Sequence, residues 1–369
     1  MNVGGSTIRI GVAAPLSGSS AVLGEEMKQA VELAVDERNR AGGILGALLR
    51  LEVADDEGKV KNAGATARTF CEAAELLGVV GHYNSDVTLA SAKLCHLCGL
   101  AVVSPVASNP QLTQGGWKNV FRFTNRDDNT AAAIAHYLYK QCGKRRAVIT
   151  VTPSLYGTSM ANEFGRCFLR FGGDIVAHHW VEEGQRDFQA LGAGLPADFD
   201  VLFYGGSFEG ASILRSMREV GCTQLFAAGD GCWDVANFLQ PAAEMATEGE
   251  GVLVLSATPE LGRVPGSQEF ARAYTDRYGP IGNYAMNSYD SARLLLGAIE
   301  CAIRTAGALP SRADVITAVR ETRFRGIAYS NAVQWDAKGD NLAAVTALHV
   351  VENGRFHQVA EIGRAELAI

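Results

Sequence analysis

The chain has 369 residues, 47% of them apolar and 20% charged, with 40 acidic against 33 basic side chains and a formal charge of −7. That length suggests two domains of ordinary size, and that composition excludes a disordered or fibrous chain. No run of Lys and Arg marks a phosphate-backbone footprint, so no nucleic-acid partner is expected, and apolar runs such as 251–257 (GVLVLSA) are too short to span a bilayer.

Strand-like runs alternate with amphipathic helical stretches almost from end to end. The residues before Thr7 read as a short tail (1–6), with no charged leader and apolar region of a signal peptide. Residues 7–16 (TIRIGVAAPL) predict a strand, and 24–40 a helix with Met27, Ala30, Val31 and Ala34 on one face. Then follow strand 48–56, helix 63–76, strand 77–83, helix 85–97 and strand 100–107. This is βαβ repetition, which implies a parallel sheet covered on both faces.

The pattern then restarts. Helix 128–141, strand 146–152, a helix after Tyr156, strands 174–181 and 200–206, a helix through Met217 and strand 224–230 predict a second sheet of the same type. Three extended segments, 119–125, the strand 251–257 and 329–336, read as crossings between the halves, and helix 284–305 returns to the first. Residues 344–362 form a hairpin turning at Asn353-Gly354. The expected fold is therefore α/β, with two doubly wound parallel-sheet lobes joined by three crossings and a ligand cleft between. One lobe takes 1–122 with 255–330, the other 123–254 with 331–369.

Eight cysteines are scattered along the chain. Cys95 and Cys98 have redox or zinc spacing, but no second Cys pair or His pair completes a metal site. They also end a helical pattern, whereas a reactive thiolate favours a helix N-terminus. Buried structural cysteines are the expectation.

In doubly wound sheets ligands bind outside the carboxyl ends of the strands. Four such ends carry informative chemistry. Tyr83-Asn84-Ser85 opens the helix at 85, with Ser85 placed as its cap; the free N–H groups there suit a carboxylate, although a plain cap needs no ligand. Residues 104–110 (SPVASNP) form an extended loop in which Val106, Ala107 and Ser108 offer oxygens, or else a rigid connecting turn. Asp230 ends an apolar strand, where a carboxylate needs a cation or donors; a ligand ammonium or a role as cap to the helix near Trp233 both satisfy it. Tyr156 adds an aromatic wall and a hydroxyl, and Tyr204-Gly205-Gly206-Ser207 a stretch where backbone can approach a ligand. Hydroxyls with a helix N-terminus on one side and a carboxylate on the other complement a zwitterion.

These same segments resemble the type I periplasmic binding proteins, specifically the leucine/isoleucine/valine-binding family of ABC transporters. The similarity is carried by 8–44, 78–92, 102–113, 201–221 and 333–340 (VQWDAKGD). The resemblance implies a solute-binding protein for a branched-chain or other apolar or aromatic amino acid. It would be a periplasmic monomer serving a membrane permease, with no cofactor or metal. Ser85 and Ser108, helped by Val106, would then hold the ligand carboxylate, and Asp230 the ammonium. Tyr156 matches a pocket tyrosine. Leu23 and Ser207 stand where leucine-binding relatives carry tyrosines, with Tyr83 and Tyr284 supplying bulk nearby and Phe208 and Trp233 as further candidate walls. A ligand-sensing regulator or receptor domain for amides or small carboxylic acids, cytoplasmic in the sensor case, would use the same cleft. An enzyme is not expected. Ser85 lacks the G-x-S-x-G elbow, His178 and His179 face opposite ways along a strand, and no phosphate- or dinucleotide-binding glycine pattern is present.

Overall fold

The alternation of apolar runs and amphipathic stretches produces two α/β units in the computed structural model, which describes residues 3, 5–245 and 251–367. Part of the tail read at 1–6 lies outside these described residues. One unit comprises Met1–Asn125 with Leu261–Ala344, the other Arg126–Glu260 with Val345–Ile369.

The first unit opens with β1 (Thr7–Ala14), α1 (Ala21–Arg40), β2 (Leu48–Asp55), α2 (Val60–Glu72), β3 (Leu76–Gly81), α3 (Ser85–Leu97), β4 (Ala101–Ser104), α4 (Gln111–Gln114) and β5 (Val120–Arg122). Its sheet runs β2-β1-β3-β4-β5, with every pairing parallel. Each residue of β3 and β4 is buried, because helices cover both faces of a doubly wound sheet. Helix α1 turns Met27, Ala30, Val31 and Ala34 inward, the face its sequence marks.

The second unit follows with α5 (Asp127–His136), β6 (Arg146–Val151), α6 (Leu155–Arg170), β7 (Asp174–Trp180), α7 (Gln189–Ala193), β8 (Val201–Gly205), α8 (Gly210–Glu219), β9 (Leu225–Ala228), α9 (Gln240–Ala242) and β10 (Val252–Ser256). The chain returns to the first unit for α10 (Ser267–Tyr278), α11 (Ala285–Ala306) and α12 (Arg312–Glu321), then ends in the second with β11 (Val345–Glu352) and β12 (Arg355–Gly363). The second sheet runs β12-β11-β10-β9-β8-β6-β7. Its five parallel strands repeat the topology of the first sheet, and an antiparallel hairpin extends it. Asn353 and Gly354, at φ 51° and 69°, make the hairpin's tight left-handed turn.

Two of the three segments read as crossings are not crossings. Within residues 251–257, Val252–Ser256 form β10, fully buried beside β9; a nearly continuous apolar run is the mark of a strand covered on both faces. Residues 329–336 pack inside the first unit, where the Trp335 indole donates to the Val319 carbonyl at 2.7 Å and lies 5.4 Å from the Phe121 ring. The chain passes between units at 125/126, 260/261 and 344/345. Residues 331–344 accordingly belong to the first unit and 255–260 to the second.

Cys71 and Cys98 form a disulfide joining the end of α2 to the end of α3, with Cα atoms 5.8 Å apart. Cys95, Cys167 and Cys232 are buried thiols; Cys142 and Cys301 are exposed, unlike the buried role expected of them.

Candidate functional site

In the strand order shared by both units, the first strand of each sheet lies between the second and third, so consecutive crossovers leave it in opposite directions. Ligands bind outside the carboxyl ends at that switch point. In the first unit the point lies between β1 and β3, and in the second between β6 and β8. Most candidate residues fall on the loops or helix starts that follow these strands and their neighbours, whereas Tyr284 stands at the start of α11.

In the first unit, Ser85 does not cap α3. Asn84 occupies the cap position with extended backbone, its carbonyl accepting from the Thr88 amide and hydroxyl, and Ser85 is the first helical residue. The Ser85 Oγ accepts instead from the Asn109 amide at 3.3 Å. That bond joins the N-terminus of α3 to the loop after β4, in which Val106, Ala107, Ser108 and Asn109 are all buried. The Asn287 side chain of α11 donates to the Pro105 carbonyl at the loop's start. Tyr83 and Tyr284 meet edge to face, ring centroids 5.4 Å apart. Tyr284 is placed by Glu26 of α1, whose Oε1 accepts from its amide at 2.7 Å. Leu23 is buried one turn earlier on the same helix. The structure thus brings Ser85 to the Ser108 loop and Tyr83 to Tyr284.

In the second unit, the Tyr156 hydroxyl donates to Asp230 Oδ1 at 2.8 Å and accepts from the Gly231 amide at 3.0 Å. Glycine at 229 makes this possible: a Cβ there would stand 2.3 Å from the Tyr156 hydroxyl. Asp230 is not the cap of the following helical turn. That role falls to Asp234, whose side chain accepts from the Asn237 amide. Ser207 borders the same stretch, its carbonyl accepting from the Cys232 thiol at 3.3 Å. Tyr204 lies outside the group; its buried hydroxyl bonds Glu209 at 2.7 Å and Thr152 at 2.8 Å. Gly206 leaves room for that hydroxyl, since a Cβ would sit 2.1 Å from it. Phe208 is half-buried, and Trp233, also half-buried, stacks on Phe356 of the hairpin with ring centroids 4.0 Å apart.

Burial raises the Asp230 carboxyl above its ordinary range, opposed by the hydrogen bond from Tyr156. Burial, and then the Asp230 charge, push the Tyr156 phenol well up, so it stays a neutral donor at physiological pH. A buried carboxylate served by a neutral hydroxyl is a good acceptor for a cation brought in by a ligand. Among the described residues no group of three His, Cys, Asp or Glu side chains could hold a metal, and no helix is long and apolar enough to cross a membrane.

Glu26, Asn109 and Gly229 were not singled out in the sequence. Glu26 carried a signal, a carboxylate on the apolar face of α1. Gly229 carried another, as a glycine directly preceding a strand-end acid.

The sequence profile of the periplasmic binding protein family matches residues 7–355. The chain belongs to that family. It is 28% identical over 351 residues to the Leu/Ile/Val-binding protein BraC3 of Rhizobium johnstonii, covering 95% of this chain and 93% of the relative. The branched-chain amino acid transporter substrate-binding protein LivJ of Streptococcus pneumoniae, solved with isoleucine, superposes with a TM-score of 0.85 at 26% identity, covering 97% of this chain and 99% of that one. An ABC transporter substrate-binding protein of Desulfitobacterium hafniense, solved with leucine, gives 0.79 at 29% identity, covering 96% and 100%. With this membership the fold expected from the sequence, a type I periplasmic binding protein, is established.

Proposed function

We propose that this protein is the substrate-binding component of an ABC importer and binds an apolar amino acid, branched-chain or aromatic, as a zwitterion. Asp230 carries the reading: a buried carboxylate at a strand end, hydrogen-bonded by Tyr156 and raised by desolvation, is matched by a ligand ammonium. The first unit carries groups suited to a carboxylate. There Ser85, Ser108 and the main chain at Val106 and Ala107, beside the N-terminus of α3, hold the ligand carboxylate. The relatives bound to isoleucine and leucine support this class of ligand.

Tyr83, Tyr284 and Leu23 serve the side-chain end in the first unit, with Asn84 as a polar group there and Ser207 as one in the second unit. Leu23 and Ser207 in place of tyrosines enlarge the space, which favours a side chain bulkier than that of valine. A membrane permease is the partner to which the loaded protein delivers its ligand. The periplasm is the proposed location, supported by the family and by the Cys71–Cys98 disulfide, since such bonds persist in oxidising compartments.

A thermal-shift screen against the L-amino acids tests the reading, because a ligand of the folded state alone raises the midpoint. The expected result is a rise with leucine, isoleucine or phenylalanine. A rise only with amides or carboxylic acids lacking an ammonium would overturn the role of Asp230.

A further inference from the structure

The segment 333–340 (VQWDAKGD) is one of the most distinctive runs of the sequence, and nothing in the binding roles above uses it. In the structure it is a tight turn closed on its own acid: Asp336 Oδ1 accepts from the amides of Lys338, Gly339 and Asp340 at 2.8–3.0 Å. The turn presents Asp340, 2% exposed, to Arg122, which is wholly buried at the end of β5. Arg122 Nε donates to Asp340 Oδ1 at 2.8 Å, and its amide donates to the Gly339 carbonyl. The other guanidinium nitrogens reach further acceptors. Nη2 donates to Thr113 Oγ1 at 2.7 Å, and that hydroxyl donates in turn to Asp340. Nη1 donates to the Asn109 carbonyl at 2.6 Å.

Asn109 is therefore gripped from two directions, its carbonyl by Arg122 and its amide by Ser85 Oγ. It follows Ser108 directly. An irregular loop buried as deeply as 105–109 must find partners for its backbone groups inside the protein. A planar guanidinium with several donors in fixed directions meets that need where a lysine cannot. A buried ion pair is not by itself an economical way to stabilise a fold, since apolar side chains of similar volume often do as well. Its geometry here accounts for its presence.

We propose that Arg122, oriented by Asp340 and Thr113, is a positioning residue for the ligand-carboxylate loop, fixing Ser108 and Ser85 through the Asn109 carbonyl. This rests on the binding reading above for the ligand, but not for the loop. The sequence marks Arg122 as the only cation in the run 119–125 (NVFRFTN).

Arg122→Lys keeps the charge but reaches fewer acceptors, and the double variant Arg122→Met/Asp340→Leu removes the pair without leaving a lone buried charge. L-leucine affinity by titration calorimetry, the thermal midpoint and amide exchange at Asn109 are measured on wild type, on both variants and on Arg122→Met alone. The expected result is about tenfold weaker leucine binding in both, the loss of one charge-assisted hydrogen bond to the loop. The double variant recovers the midpoint relative to Arg122→Met alone, while affinity stays low and exchange at Asn109 stays fast. A purely structural pair would restore affinity along with the midpoint, and wild-type affinity with unchanged exchange in either folded variant would overturn the proposal. If wild type binds no leucine the binding reading fails, and exchange at Asn109 alone decides whether Arg122 holds the loop.

Discussion

The two units share a parallel core in one strand order, yet they treat buried acids differently. In the first, Asp340 meets the Arg122 guanidinium at 2.8 Å, and Asp290 of α11 accepts from the amides of Ile327 and Ala328 and from Arg293. Asp56 lies 2.6 Å from His82. These acids tie segments together. In the second, Asp230 takes the Tyr156 hydroxyl, and Glu209 takes the hydroxyls of Tyr204 and Thr152 and the Gly184 amide. Neutral donors orient a carboxylate without neutralising it. Asp340 and Asp290 thus count an arginine among their partners, whereas Asp230 and Glu209 accept from hydroxyls and an amide, donors that the proposed ligand ammonium would join at Asp230.

The largest expected effect falls on that acid. Asp230→Asn keeps the hydrogen bond from Tyr156 but removes the charge, and titration calorimetry should show at least about 100-fold loss of amino-acid affinity, roughly 3 kcal/mol. The apo midpoint should hold or rise, because the raised Asp230 carboxyl marks a buried charge that burdens the empty protein. The same shift gives a pH dependence. A bound ammonium lowers the Asp230 pKa relative to the empty protein, so affinity strengthens as pH rises through the raised value and weakens on acidification. In Asp230→Asn that slope should disappear.

Reduction of Cys71–Cys98, 27 residues apart in sequence, should cost about 3.5 kcal/mol of stability by the loop-entropy relation. Hydrogen exchange should place the loss in the first unit, with the helices of the second unchanged. Asp290 sharpens the contrast on another axis. Burial pushes its carboxyl up to about 6 from 3.8. The folded state therefore holds a proton that the unfolded chain has released, and stability from this group falls as pH rises across that window. Urea unfolding of wild type against Asp290→Asn should diverge by about 2–3 kcal/mol between about pH 4 and 6.5. The smallest effect is expected from Ser85→Ala, about tenfold or less in affinity, because the backbone N–H groups at the start of α3 remain.

Much of this architecture was legible because a buried parallel strand and an amphipathic helix leave strong periodic marks. Helix α3 occupies the range 85–97 that its pattern predicts, and the hairpin turns where Asn353-Gly354 says it must. The strand within 251–257 is legible from its apolar run, but not its place: only its neighbours show that Val252–Ser256 is the fifth parallel strand of the second sheet and that the chain passes between units after it. The site was legible as residue types at strand ends. Its wiring was not, because the bonds joining Ser85 to Asn109 and Arg122 to Asp340 link positions 24 and 218 residues apart, and no local pattern encodes them.

The most direct test of the account compares L-leucine with 4-methylpentanoate, the same carbon skeleton without the ammonium, by titration calorimetry on wild type and Asp230→Asn. Leucine should bind wild type at least about 100-fold more tightly than the acid, and that preference should collapse in the variant. Equal binding of the two by wild type, or a leucine preference that survives in Asp230→Asn, would contradict it.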